Sequence, residues 1–228
     1  HVGDTEYNTD NIIKGILEAA KQHAKISVFP ELCITGYTCS DLFLQDILLK
    51  EALHSLKQII DLSADIDTVI IVGLPFMYRG TLYNVAAVIH DGSLLGLVPK
   101  THIPNYSEFY EARHFTSGHE EVILIDIPEL GDEGLAVSFG SKLLFEAENM
   151  PELVIGIDIC EDLWMPIPPS CNHALASATV IANLSASDET TGKDIYRREL
   201  VRNQSARLIC GYIYADAGEG ESSTDLVF

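Results

Sequence analysis

The chain has 228 residues, 47% of them apolar, with 34 acidic residues against 14 Lys and Arg and a formal net charge of −20. That is ample for a real hydrophobic core in one large domain or two small ones, and the charge opposes phosphate backbones and anionic lipid surfaces, with no basic cluster as a local exception. Nucleic acid and membrane are excluded as expected partners. The start "HVGDTEYN" lacks the basic and apolar regions of a signal peptide, and no apolar segment nears the roughly 20 residues of a spanning helix, so a cytoplasmic protein is expected.

Along the chain, Ile12, Ile13, Ile16, Leu17 and Ala20 recur at helical spacing, and "KISVFPEL" then reads as a short strand stopped by Pro30. A second helix is predicted from Asp46 to Leu62, followed by the strand "TVIIVGLP" and by "YNVAAVIHDGSLLGLVPK", whose central "DG" signals a hairpin. The polar section from Thr101 to Glu120 is the least regular part. Loops that long tend to be functional or disordered, and Tyr106, Phe109, Tyr110 and Phe115 argue for order. Beyond it come the strand "HEEVILIDI", the buried strand "LVIGIDIC", helix-compatible "HALASA", strand "TVIANLSA", helix "YRRELVRNQSARLI" and strand "GYIYADA". Helices alternate with strands apolar on both faces while a hairpin interrupts the pattern, which predicts an α/β fold with a mixed sheet and no internal repeat or linker.

Five cysteines, at Cys33, Cys39, Cys160, Cys171 and Cys210, are an odd number that fits reduced thiols better than a disulfide framework. The nearest approach to a zinc pattern is "CNH" at Cys171 to His173, which is not a tetrahedral ligand set, so no metal is expected. Three strands end in a chemically suitable residue: "VFPEL" in Glu31, "LLGLVPK" in Lys100 and "GIDIC" in Cys160. Ligands gather where the strands of open α/β sheets finish, so the three are candidates for one site. Taken singly, Glu31 reads equally as a capping acid, Lys100 as a solvated lysine and Cys160 as a small core hydrophobe. Together they suit amide hydrolysis: a thiolate attacks the carbonyl, a carboxylate moves protons, and an ammonium stabilises the oxyanion. Glu161 and Asp162 beside the thiol are expected to raise its pKa, so a nearby ammonium has to offset them.

The segments "VFPELCITGY", "VPKTHIPNYSEFYEARHF", "GIDICEDLW" and "NLSASDETTGK", in this order and with the long polar loop between them, resemble the nitrilase superfamily of carbon-nitrogen hydrolases. Within it, the chain is similar to the glutaminase domain of glutamine-dependent NAD synthetases. The resemblance implies an α-β-β-α sandwich with two stacked mixed sheets, with Glu31 as general base, Lys100 as oxyanion-stabilising lysine and Cys160 as nucleophile. It places Glu111 as a second acid near that cysteine, Tyr106, Ser187 and Lys193 at glutamine-binding positions, and Glu161 and Trp164 along the same pocket. A cation and an anion at the ends of a zwitterion, with an aromatic wall over its methylenes, make physical sense of such a set. Read without the resemblance, Ser187 and Lys193 belong to an ordinary strand-to-helix loop, where serine often caps.

The resemblance further implies that residues 1–228 are a glutamine amidotransferase domain cut short at both ends, starting after a strand that precedes "VGD" and stopping inside another. A C-terminal NAD synthetase domain, absent here, would be its partner and would carry the ATP and Mg; no cofactor is expected in this domain. L-glutamine is the implied substrate and a homo-oligomer the implied assembly. Lys193 stands where many relatives carry arginine, which keeps the charge and loses the bidentate fork. The alternatives are an amidase of the same superfamily acting on another ω-amide, a nitrile or an N-carbamoyl substrate, and a non-catalytic interaction domain that keeps the fold.

Overall fold

A computed structural model describes residues 1–131, 135–218, 220–221 and 225–228. The first helix, α1 (Thr5–Lys21), begins where the Asp4 carboxylate accepts the Tyr7 N–H at 3.1 Å and buries Ile12 and Ile16 one turn apart. After β1 (Ile26–Val28), α2 (Asp46–Leu62) spans the expected residues and turns Leu49, Ala52, Leu56, Ile59 and Ile60 inward. The strands β2 (Val69–Tyr78), β3 (Thr81–His90) and β4 (Ser93–Pro99) form an antiparallel meander. Its second turn is the expected Asp91-Gly92 pair, with φ of 47° and 70°, the left-handed pair that matches strand twist.

The remaining elements are β5 (Ile123–Ile127), β6 (Leu135–Phe139), β7 (Leu144–Ala147), β8 (Met150–Ile159), α3 (Pro169–Leu175), β9 (Val180–Ser185), α4 (Lys193–Leu208) and β10 (Gly211–Asp216). They complete two mixed sheets, one ordered β1-β2-β3-β4-β6-β5 and the other β10-β9-β8-β7. In the first, β1 runs parallel to β2 and β4 parallel to β6; in the second, β8, β9 and β10 are parallel and β7 is antiparallel.

Successive residues of β2 show why its strand is apolar on both faces. Ile70 and Val72 pack with Ile16, Leu56 and Ile59 of the helices, while Ile71 between them joins Val88, Val98, Ile155, Ile157 and Leu184 in the layer between the sheets. On the far side Val154 and Ile181 pack against Ala174 and Leu208. The layers are therefore helix, sheet, sheet, helix.

The short strand expected in "KISVFPEL" is β1, three residues long and ended ahead of Pro30 as read. Some other expectations are corrected. The helix expected over "HALASA" lies earlier, at Pro169–Leu175, and has ended before Ser177, whose φ is 79°. Asp225–Phe228 is not strand: Leu226 is buried among side chains, and the Val227 carbonyl accepts the Glu189 N–H at 2.6 Å. Residues 222–224, just before that tail, lie outside the described residues. The short strands β6 and β7 had no periodic signal long enough to read. Among the described residues no helix is long and apolar enough to cross a membrane.

Candidate active site

Lys100, the residue after β4, is completely buried, and so is Glu31, three residues past β1. The turn that delivers Glu31 lies directly on β2 at Gly73. A Cβ on Gly73 would stand 2.4 Å from the Leu32 nitrogen and 2.9 Å from the Pro30 oxygen, so only glycine lets the two backbones meet. From there Glu31 Oε1 accepts Lys100 Nζ at 2.6 Å and Asn84 Nδ2 at 2.7 Å, and Oε2 accepts the Ala186 N–H at 3.1 Å. Lys100 Nζ also donates to Glu111 Oε1 at 2.6 Å, and the Tyr37 hydroxyl donates to that same oxygen at 2.7 Å.

A buried ammonium between two carboxylates obeys opposing forces. Burial disfavours the Lys100 charge, but Glu111 and Glu31 outweigh it and hold the lysine well above its ordinary range. Burial raises Glu111 to about 7, with Lys100 opposing and Glu31 reinforcing the shift. Two anions share one cation, so neither is paired as fully as in an isolated ion pair.

Cys160 follows β8 at φ 45°, a left-handed conformation that costs a β-carbon-bearing residue free energy and is held only by its surroundings. The Asp162 carboxylate accepts the Ile159 N–H at 3.0 Å and the His102 N–H at 2.9 Å, and lies 2.8 Å from His102 Nδ1. The Cys160 N–H donates to Asn183 Oδ1 at 3.2 Å; Asn183 Nδ2 donates to the Tyr212 hydroxyl at 3.2 Å, which donates to Asp158 at 3.1 Å. Burial raises the Cys160 thiol well above its ordinary value; Glu31 adds to this and Lys100 opposes it. The expectation that Glu161 and Asp162 set the thiol's pKa is thereby corrected: burial leads, Glu31 is the leading charge, and Asp162 is occupied with backbone amides. The thiol rests protonated and needs a base at the moment of attack.

Of the remaining expected residues, Tyr106, Glu161, Trp164 and Lys193 lie on a more exposed rim, and Ser187 is buried. The Tyr106 hydroxyl donates to Glu161 Oε1 and Oε2 at 3.1 and 3.0 Å, and burial, only partly offset by Tyr106 and Lys100, raises the Glu161 carboxyl. Lys193, first residue of α4, has Nζ 5.4 Å from the Trp164 ring centre and 5.7 Å from that of Phe109, and pairs with Asp188. Ser187 is buried beside Asp188, its N–H donating to Asp216 Oδ1 at 2.7 Å. The loop reading of Ser187 as a cap is corrected, since α4 is capped by left-handed Gly192. A cavity of about 290 Å³ opens next to Glu111, between Tyr37, Phe43, Phe109, Phe115 and Leu226. Among the described residues no three His, Cys, Asp or Glu side chains are arranged to hold a metal.

The supports escaped the sequence reading. Tyr37, Asn84, Asp158 and Asn183 each bond to a candidate residue or its backbone, or to the next partner in the chain. Asn84 and Asn183 left a signal, a lone amide inside the apolar runs "YNVAAV" and "VIANLS", where a buried polar group needs a partner. Tyr37 and Asp158 left none that separates them from packing residues.

A family model described as carbon-nitrogen hydrolase matches residues 1–216. Among curated relatives, glutamine-dependent NAD(+) synthetase of Mycobacterium tuberculosis is 44% identical over 227 residues, covering 100% of this chain and 33% of its own length. That of Aquifex aeolicus is 34% identical, covering 100% and 35%. The chain spans about a third of the length of these relatives. A solved glutamine-dependent NAD(+) synthetase from Cytophaga hutchinsonii superposes with a TM-score of 0.82 at 31% identity, over 94% of this chain and 34% of that one. A nitrilase-superfamily amidase from Nesterenkonia AN1 shares the fold, with a TM-score of 0.76 at 16% identity over 100% of this chain and 76% of that one.

Proposed function

The chain belongs to the carbon-nitrogen hydrolase family, and from that premise we propose that it hydrolyses the side-chain amide of L-glutamine through a thioester on Cys160. The observation that carries the reading is the ammonium of Lys100 held at 2.6 Å from both Glu31 and Glu111, in electrostatic contact with a thiol on a left-handed turn. Glu31 takes the thiol proton as sulfur bonds to the amide carbon, and the carbonyl electrons become an oxyanion facing Lys100. The Cys160 N–H is occupied by Asn183, which leaves the charge to Lys100. The carbon-nitrogen bond then breaks, Glu31 returns its proton to the leaving nitrogen, and ammonia departs. Water gives a proton to Glu31 and its oxygen to the thioester carbon; the carbon-sulfur bond breaks, the sulfur recovers the proton, and glutamate leaves.

For glutamine, the rim offers both charges a zwitterion requires. Lys193, flanked by Phe109 and Trp164, suits the α-carboxylate, with Ser187 next in sequence to its partner Asp188; Asp188 and the Tyr106–Glu161 pair suit the α-ammonium. The names of the relatives support the destination of the ammonia, an ATP-dependent amidation of deamido-NAD in an adjoining synthetase domain. ATP and Mg then belong to that domain. The test is ammonia release from L-glutamine against other ω-amides and N-carbamoyl amino acids. Preference for glutamine by tenfold or more is expected, and preference for an N-carbamoyl substrate would overturn the assignment.

A further inference from the structure

The C-terminal segment reaches back to the acid network through Tyr37. Glu221 Oε1 accepts the backbone N–H of Tyr37 and, at 3.2 Å, that of Thr38, while the Thr38 hydroxyl donates to the Glu221 carbonyl at 3.2 Å. Gly36 precedes them at φ 86°, and a Cβ there would lie 3.1 Å from the same carboxylate oxygen. The turn thus offers two consecutive amides to one anion, with a left-handed glycine leading into them. The platform is fixed elsewhere: Leu226 is buried among Leu32, Tyr37 and Phe109, Asp225 Oδ2 accepts the Tyr110 hydroxyl at 3.1 Å, and Phe228 meets the Tyr37 ring edge-on at 6.1 Å.

What the turn carries is Tyr37, whose hydroxyl donates to Glu111 Oε1, the oxygen that also accepts Lys100. The other oxygen, Glu111 Oε2, is buried without a hydrogen-bond partner among the described residues. Among the described residues Tyr37 is therefore the only neutral donor to that carboxylate, and its reach is set by the backbone that Glu221 holds. We infer that Glu221 is a positioning residue: through Tyr37 it keeps Glu111 ionised and paired with Lys100, and so keeps Lys100 aimed at the reacting carbonyl.

The inference rests on the reading of the site as a Cys160 amidase, but its core claim concerns Glu111 and can be tested without a substrate. The groups facing Glu111 are Lys100 after β4, Glu31 after β1, Tyr37 on its turn, and Cys160 and Glu161 after β8. Of these, Tyr37 and Lys100 favour the charged carboxylate, and Glu31 opposes it. Loss of the Tyr37 bond leaves Glu111 easier to protonate, so its titration moves upward.

In the longest native chain carrying this sequence, Glu221→Ala should lower kcat for glutamine hydrolysis by roughly 3- to 10-fold, the worth of one hydrogen bond, with KM within twofold. The acid limb of the rate profile, and the infrared carboxyl band assigned with Glu111→Gln, should both move up by about half to one pH unit. Glu221→Gln keeps an oxygen for both amides and should restore the wild-type values. Glu221→Ala combined with Tyr37→Phe should be no worse than Tyr37→Phe alone, since both cut the same link. An unmoved carboxyl band in folded Glu221→Ala, a change in KM alone, or full additivity with Tyr37→Phe would overturn the inference. If the wild type proved inactive on glutamine, the proposed function would fail while the infrared titration still decided this point. Should Glu221→Ala not fold, Glu221→Asp, one methylene short, takes its place; if neither folds, Glu221 is a stability anchor and the assignment falls.

Discussion

The two halves of the candidate site hold their charges in opposite ways. Around Lys100, Glu31 and Glu111, everything charged is buried: the three groups pair with one another, and Asn84, Tyr37 and the Ala186 N–H fix the carboxylates. Around Lys193, Glu161 and Trp164, the side chains are half-exposed and held by one another. Breaking a buried pair leaves an uncompensated charge in low dielectric, whereas breaking a rim pair lets water replace the partner. Chemistry belongs where geometry cannot relax, and recognition where it can adjust to an arriving ligand.

The largest effect that tests this division is Cys160→Ala, which removes the nucleophile. Glutamine hydrolysis should vanish, while in a complete synthetase NAD formation from added ammonium should persist, since the role proposed for the thiol is to make ammonia and not to use it. Loss of both activities in a folded protein would place Cys160 in the synthetase step or the architecture. Next come the buried charges. Glu31→Gln should lose roughly 10²- to 10⁴-fold in kcat and Lys100→Met about 10²- to 10³-fold. Lys100→Met should also destabilise by about 3–5 kcal/mol, because Glu31 and Glu111 then face each other without a cation. Near-wild-type turnover in either folded variant would remove that residue from the machinery.

How much of this contrast was readable in the chain follows from the same physics. Strand ends announce themselves, because a buried apolar run that stops at Glu31, Lys100 or Cys160 presents an unusual residue at a fixed place. The helix–sheet–sheet–helix layering came through resemblance, since alternation alone predicts one mixed sheet and does not divide ten strands between two. Tyr37 and Asp158 could not be read, because their work depends on contacts across 74 and 54 residues of chain. Burial itself was equally invisible: Lys100 looks solvated until Glu31 and Glu111 close over it, and Asp162 looks like a neighbour of the thiol until its oxygens turn to the backbone of Ile159 and His102.

On the rim, Lys193→Met keeps the aliphatic stem against Trp164 and Phe109 and removes the charge. Its effect should fall on recognition: KM for glutamine rising about 10-fold, the worth of an exposed or half-exposed charge-assisted contact, with kcat within threefold. Equal losses in kcat and kcat/KM would move Lys193 from recognition to transition-state stabilisation and erase the boundary between the two halves.

The smallest expected effect is the most discriminating, because it separates a substrate contact from a structural one. Tyr106 is exposed, and its hydroxyl donates to both oxygens of Glu161, whose carboxyl is raised by burial. Tyr106→Phe keeps the ring against Phe109, 5.8 Å away, and deletes only the donor. The Glu161 carboxylate then loses a hydrogen bond that favours its charge, so its pKa moves higher still and less of it is ionised at a given pH. If that carboxylate meets the substrate ammonium, KM should rise two- to fivefold at an acidic pH and approach the wild-type value at an alkaline one, as Glu161 ionises in both proteins. Initial rates across that interval measure it. A penalty in KM that is the same at both pH values would show that the hydroxyl contacts the substrate itself and that Glu161 is only its anchor.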